Sequence, residues 1–61
     1  MDTVYIVRWY RDAEVVAERR YERLDDARRH ARNQLPIWHL RKGATTAVVC
    51  DQNGTVITRV F

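Results

Sequence analysis

Residues 24–38, LDDARRHARNQLPIW, decide the fold because their apolar side chains recur with the period of an α-helix. Five of these residues are spaced three or four apart and share one stripe of that helix: Leu24, Ala27, Ala31, Leu35 and Trp38. Asp25 and Asp26 fall in the first turn, where the positive end of the helix dipole favours acidic groups. Arg41 and Lys42 fall near the far end, where the dipole favours cations. The pattern predicts an amphipathic helix that buries the stripe.

Pro36 interrupts this helical pattern. Proline has no amide to donate to the carbonyl of Arg32, and its ring crowds the preceding turn. We therefore expect the helix to kink at Pro36, or to break near Gln34 and restart as a short turn. Gly43 then suits the left-handed position that commonly follows a helix C-terminus.

Two strands are predicted before the helix. Residues 3–10, TVYIVRWY, are rich in β-branched and aromatic side chains, and residues 15–22, VVAERRYE, alternate loosely. Residues 11–14 form a polar break between them. The two strands pair most simply as a hairpin, with a loop longer than two residues because Asp12 and Ala13 lack the glycine of a tight turn.

Two more strands are predicted after the helix, at residues 45–51 and 55–61. Asn53 and Gly54 between them are typical of a two-residue type I′ turn, in which both residues need positive φ. With that turn, Cys50 faces Ile57 across the hairpin.

These elements predict a single α+β domain over residues 1–61, with ββαββ order and one helix on one face of a four-stranded antiparallel sheet. One helix covers one face, so the other keeps apolar side chains that indicate an interaction surface. If odd positions of the first strand face the helix, the candidate interface residues are Ile6, Arg8, Tyr10 and Val16. In the opposite orientation Trp9 takes their place, and both orientations stay open.

A group of small uncharacterised bacterial ββαββ proteins resembles this chain over about residues 15–60. The resemblance rests on Tyr21 at the end of the second strand, the helix opening LDDARRHA and the closing hairpin VVCDQNGTVITRV. The group typically has a capping Ser or Thr where this chain has Arg23. The resemblance implies the ββαββ fold, and it implies no activity because the group has none established.

The positive charge of the chain suggests an alternative function. The net charge is +3, and ten arginines accompany a single lysine, a bias also typical of GC-rich genomes. Nucleic acid is therefore a candidate partner, through the basic and aromatic sheet face or through the basic helix residues Arg28, Arg29, Arg32, Arg41 and Lys42. Against this, Asp25 and Asp26 stand three or four residues before basic side chains, where local pairs form.

Catalysis is not expected. The residues suited to nucleophilic or acid–base chemistry are His30, His39, Cys50 and Asp51, and no spacing among them matches a metal site or a catalytic pair. We therefore predict a non-catalytic domain with no metal, no cofactor and no small-molecule substrate.

Small size points to association with another chain. A domain of 61 residues has a small core, and one cysteine cannot form an internal disulfide. No apolar stretch approaches the roughly 20 residues that span a bilayer, and no apolar run follows a basic start. We expect a cytoplasmic protein with no membrane partner, which forms a homodimer or binds another protein.

Overall fold

The computed structural model describes residues 3–60 and contains five elements in the predicted ββαββ order. They are β1 (Tyr5–Arg11), β2 (Glu14–Tyr21), α1 (Leu24–Lys42), β3 (Thr46–Cys50) and β4 (Val56–Val60). All strand pairs are antiparallel, and the order across the sheet is β2-β1-β3-β4. β1 and β3 are therefore central, and β2 and β4 are the edges. α1 contacts β1 most and β4 least.

The core lies between α1 and the two central strands. Val7 and Trp9 of β1 are fully buried and cluster with Ala27 and Ala31 of α1, so the odd positions of β1 face the helix. The indole Nε1 of Trp9 donates a hydrogen bond to the carbonyl of Ala31 at 3.3 Å. Trp9 is therefore a core residue and does not lie on the opposite sheet face. The small alanine side chains let the helix approach the sheet closely.

α1 is one helix that continues through Pro36, so the predicted break near Gln34 is wrong, and the alternative, a kink at Pro36, is not shown either. Pro36 and Arg32 are both exposed, which places the missing hydrogen bond on the water side of the helix. On the opposite side, Ala31 and Trp38 pack against the core on either side of the proline. These contacts hold both halves of the helix on the same sheet.

The two ends of α1 are capped differently. At the C-terminus Gly43 takes a left-handed φ of 75°, and the amides of Gly43 and Ala44 donate to the carbonyls of His39 and Trp38. At the N-terminus Arg23 has the extended backbone of a capping residue, but its side chain makes no capping hydrogen bond. The amides of the first turn therefore lack the side-chain acceptor that Ser, Thr, Asn or Asp would supply.

The missing cap at Arg23 gives a stability prediction. Arg23→Ser should raise the free energy of unfolding above that of Arg23→Ala by about 1 kcal/mol, because serine accepts a hydrogen bond from a first-turn amide. The alanine variant is the matched control, since it removes the same positive charge. Urea unfolding followed by circular dichroism measures both. Equal stabilities for the two variants would show that the cap is not formed.

The β1–β2 hairpin is tighter than predicted. Arg11 pairs with Glu14, so the loop contains only Asp12 and Ala13. Asp12 has a φ of 56°, and aspartate is one of the few non-glycine residues that adopt the left-handed region readily. The longer loop expected without a glycine was therefore wrong, because Asp12 takes the role that glycine usually has.

A bulge in β2 changes where Val16 lies. Trp9 pairs with Ala17 and Tyr10 pairs with Val15, so Val16 is the extra residue between the two pairs. Val16 packs against the buried core, on the helix side of the sheet. The prediction that Val16 accompanies Ile6, Arg8 and Tyr10 on the other face is therefore corrected, and Val15 takes that position.

The β3–β4 hairpin has a three-residue loop, residues 52–54, in place of the predicted two-residue turn. The amide of Asp51 donates to the carbonyl of Thr55, and the amide of Gly54 donates to the carbonyl of Asp51, each at 3.0 Å. Gly54 has a φ of 88°, whereas Asn53 does not have positive φ, so the turn is not type I′. The Asp51 carboxylate accepts hydrogen bonds from the amides of Asn53 and Thr55, which favours this geometry.

The register of β3 and β4 agrees with the prediction away from the turn. Val48 pairs with Arg59, as the sequence indicated. A shift after Val49 then pairs Cys50 with Val56, where Ile57 had been expected. The side chain of Val56 is thereby moved to the face of the sheet that α1 leaves uncovered.

Candidate interaction surface

The open face is the side of the sheet that α1 does not cover. Side chains alternate along a strand, and paired residues point to the same side, so the pairing assigns its members. They are Ile6, Arg8 and Tyr10 of β1, Val15, Glu18 and Arg20 of β2, Thr46, Val48 and Cys50 of β3, and Val56 and Arg59 of β4. The predicted residues Ile6, Arg8 and Tyr10 thus lie side by side on one surface.

A shallow groove of about 560 Å³ runs along β3 on the open face. It forms because β3 presents small side chains between longer ones on β1 and β4. Val48 and Cys50 are its floor and are almost inaccessible to solvent. Its walls contain Arg8, Tyr10, Val56 and Arg59.

The open face has a net positive charge. Arg8 forms an ion pair with Glu18, with 2.7 Å between Nε and Oε2. The hydrogen bond to Glu18, followed by one to Tyr10, raises the pKa of the Arg8 guanidinium above its ordinary value. Arg20 and Arg59 form no ion pair with any residue in the range 3–60. Three arginines and one glutamate give the strands of this face a charge of +2, and Asp12 of the β1–β2 loop, which also lines the groove, reduces the total to +1.

Apolar side chains on the open face are only partly covered. Val15 is 45% exposed and Val56 is 52% exposed, and Ile6 and Tyr10 are half-buried. Val15 and Val56 belong to opposite edge strands and lie in different rows of paired residues. The row between them contains the charged residues Glu18, Arg8 and Arg59, so the exposed apolar side chains form two groups on this face. Sequence reasoning missed both valines, because a bulge or register shift in their own hairpin determines which way they point.

The basic residues of α1 are divided between two places. One shallow depression is lined by Arg28, Arg29, Arg32 and Asn33, and a separate one by Arg41 and Lys42 together with the β1–β2 hairpin. The five residues predicted as a nucleic-acid site therefore do not form one patch.

Two of these arginines also have partners within the domain. Arg29 forms an ion pair with Asp26 at 2.6 Å, and the Nε of Arg28 donates to the hydroxyl of Thr58 at 3.3 Å. An exposed pair of this kind contributes little to stability but does reduce the charge available to a phosphate. Arg32, Arg41 and Lys42 form no ion pair within the described part of the chain.

Both histidines make local structural contacts. The Nδ1 of His30 donates to the carbonyl of Asp26 at 2.8 Å, and its ring stacks on Tyr21 with centroids 4.8 Å apart. Burial in this stack raises the pKa of the Tyr21 phenol, and the nearby Arg19 opposes the shift. The Nδ1 of His39 donates to the carbonyl of Ala44 at 2.8 Å.

The other two candidates for chemistry also have structural positions. Cys50 is buried in the floor of the groove, and Asp51 holds the β3–β4 turn. Among residues 3–60, no three His, Cys, Asp or Glu side chains are grouped closely enough to hold a metal ion. The one helix of that range is also not apolar enough to cross a membrane.

A second exposed apolar feature lies on α1 and was missed by the sequence analysis. Leu40 is 87% exposed on the outer side of the helix, and Ile37 is 48% exposed one turn earlier. The signal was present in the sequence, because Leu40 follows the buried Ala31 by nine residues, or two and a half helical turns.

No protein-family model, curated protein or solved structure matches this chain. Inferences about its function therefore depend on its surfaces. The resemblance to small bacterial ββαββ proteins agrees with the observed order of elements.

Proposed function

We propose that this domain is a non-catalytic interaction module that self-associates through the open face of its sheet. The observation that carries the proposal is that four apolar side chains, which strand pairing assigns to the side of the sheet opposite α1, are only partly covered: Ile6, Tyr10, Val15 and Val56. A two-layer domain ordinarily buries the apolar face of each layer against another layer. A second copy of the same sheet supplies that layer by symmetry.

The size of the open face limits the strength of the dimer. Four strands about 4.8 Å apart, over the five residues that β3 and β4 each contain, make a shared face of roughly 19 by 17 Å. Two such faces packed together bury roughly 650 Å², about half of the roughly 1,200 Å² at the lower limit for stable specific interfaces. The dimer is therefore expected to be weak and to dissociate on dilution.

The dependence on salt distinguishes self-association through the open face from binding of an acidic protein to the same face. Each open face carries a net positive charge, +2 on its strands and +1 when Asp12 of the groove is included, so two copies repel each other. Salt screens that repulsion, with a Debye length of about 10 Å at 0.1 M. Self-association should therefore strengthen as salt is raised, whereas binding of an acidic partner to the same face should weaken.

The proposal predicts that Tyr10→Lys abolishes self-association. Sedimentation of the unmodified chain should show an average mass that rises from 7.3 kDa with concentration, more steeply in about 0.5 M than in about 0.05 M NaCl. Tyr10→Lys should remain at 7.3 kDa, because lysine adds charge beside Arg8 and removes an aromatic contact.

Asn33→Lys is the matched control for this experiment. It adds the same charge on the exposed outer side of α1, and it should leave the sedimentation behaviour unchanged. A monomer at every concentration and salt would contradict self-association. A dimer that Tyr10→Lys does not weaken would show that another surface is used.

Nucleic-acid binding is the second candidate function. Arg28, Arg29 and Arg32 line one depression on the helix side, and this grouping is the observation in its favour. Binding of this kind releases counterions from the phosphates and weakens steeply with salt. Its salt dependence is therefore opposite in sign to that expected for the dimer.

A further inference from the structure

An aliphatic ridge projects from the C-terminal half of α1 on the side facing away from the sheet. We define this outer ridge as Pro36, Ile37 and Leu40, which neighbour one another at helical spacings of one, three and four residues. All three are exposed, and Leu40 has only 13% of its surface covered. A leucine this exposed contributes nothing to the core of the domain.

Among residues 3–60, the charged side chains beside the outer ridge are positive. Residues 32–42 of α1 contain no Asp or Glu. Arg32 lies on the flank of the helix towards Val60 of β4, and Arg41 and Lys42 lie on the flank towards the β1–β2 hairpin. The nearest acid on that hairpin, Glu14, is already paired with Arg11.

The acidic residues of α1 lie at its opposite end. Asp25 and Asp26 occupy the first turn, and at about 1.5 Å per residue they lie roughly 20 Å along the helix from Leu40. The helix therefore has a mixed-charge N-terminal half and a C-terminal half that combines exposed aliphatic side chains with cations on both flanks.

We propose that the outer ridge binds the surface of a membrane that contains anionic lipids. Leu40 and Ile37 enter the boundary between headgroups and acyl chains, while Arg32, Arg41 and Lys42 contact anionic headgroups from the two flanks. A helix that lies in the plane of a membrane surface has this arrangement of an apolar apex and basic flanks. The contact is with the surface only and involves no spanning segment. This proposal is an alternative to the expectation from sequence that the chain has no membrane partner.

The same features disfavour a second copy of the chain, or a nucleic acid, as the partner of the outer ridge. A second copy would bring its own Arg41 and Lys42 against those of the first, with no acid nearby to compensate. A nucleic acid would use the cations but would leave Ile37 and Leu40 without an apolar contact. An anionic bilayer satisfies both the aliphatic and the cationic side chains. The site is independent of the proposed dimer, because the open face lies on the other side of the molecule.

Vesicle sedimentation tests the proposal. The chain should bind vesicles that mix phosphatidylglycerol with phosphatidylcholine, and should bind pure phosphatidylcholine vesicles at least tenfold more weakly. Leu40→Lys should lower binding to the mixed vesicles roughly tenfold or more, although it adds a positive charge, because it removes the inserted side chain. Asn33→Lys is the matched control and should bind as well as the unmodified chain or better.

A fluorescence reporter makes insertion directly visible. Leu40→Trp should shift its emission to shorter wavelength on mixed vesicles, whereas the unmodified chain, whose Trp9 and Trp38 lie in or against the core, should show no such shift. Circular dichroism of each variant checks that the fold is kept.

Three results would overturn the membrane proposal. One is the absence of binding to mixed vesicles even at low salt. The second is undiminished binding by Leu40→Lys, which would mean that charge alone is responsible. The third is that a DNA duplex displaces the chain from the vesicles and binds Leu40→Lys as well as it binds the unmodified chain. That result would assign these cations to nucleic acid. None of these results depends on whether Tyr10→Lys dissociates the dimer.

Discussion

Replacing Trp9 with alanine should remove most of the stability of this domain. Trp9 is fully buried at the centre of the sheet, its ring lies 6.0 Å from that of Trp38, and its Nε1 donates to the carbonyl of Ala31. Truncation of a buried tryptophan costs about 3–5 kcal/mol through lost burial and the cavity left behind. A chain of 61 residues has a total stability of roughly 3–9 kcal/mol, so much of the population should be unfolded. Urea unfolding followed by far-ultraviolet circular dichroism measures the effect.

Two phenylalanine variants separate the contributions to this effect. Trp9→Phe keeps most of the apolar volume but loses the hydrogen bond to Ala31. Trp38→Phe is the matched control, because its Nε1 is buried and makes no hydrogen bond within residues 3–60. Loss of that unpaired donor offsets part of the lost packing, so Trp38→Phe should cost less than Trp9→Phe. A Trp9→Ala variant within about 1 kcal/mol of the unmodified chain would contradict the central role of Trp9.

Replacing Ala31 with leucine should be the second large perturbation. Ala31 is fully buried where α1 meets the sheet, and the indole of Trp9 lies against its carbonyl. A larger side chain must push the helix away from β1 or displace Trp9, at a cost of typically 1–3 kcal/mol or more. Thermal and urea unfolding should both show the loss.

Asn33→Leu provides the control for this prediction. It places the same side chain two residues further along the helix, on the exposed side. It should change stability by less than about 0.5 kcal/mol, or raise it slightly, because leucine has the higher helix propensity. Equal losses for the two variants would mean that the helix–sheet contact tolerates added volume.

The order of elements could be predicted because each follows a strong local signal. The stripe from Leu24 to Trp38 has an unmistakable helical period, and Gly43 supplies the left-handed residue that ends the helix. Both hairpins join neighbouring strands, so their pairing follows from chain order alone. These signals depend on a few residues at a time, which is why they can be read from the chain.

Details that depend on particular side-chain contacts could not be predicted in the same way. Asp12 adopts the left-handed region, and the Asp51 carboxylate binds two amides, and each choice changes a loop length by one or more residues. The continuity of α1 through Pro36 depends on packing against the sheet, which outweighs one missing hydrogen bond. From local propensity alone, we expect a longer first loop, a shorter second loop and an interrupted helix.

The candidate surface was only half determined by the sequence. Both sets of alternating residues in β1 are apolar enough to face a core, so Ile6, Arg8 and Tyr10 could not be separated from Trp9 by pattern. The bulge that turns Val16 inward and Val15 outward leaves no clear mark in the sequence. The structure places these residues, and their role in binding stays a prediction.

The strand order has a consequence for how the chain is made. β1 is formed early in synthesis, but it lies in the middle of the sheet, and its second neighbour, β3, follows only after the whole of α1. Until β3 has left the ribosome, Val7 and Trp9 lack the cover that Ala47 and Val49 provide in the finished core. The first hairpin and the helix by themselves contain only part of this core, so we expect them to be less stable than the finished domain. We therefore expect the full stability of the domain only after β3 has joined the sheet, when most of its residues have been synthesised.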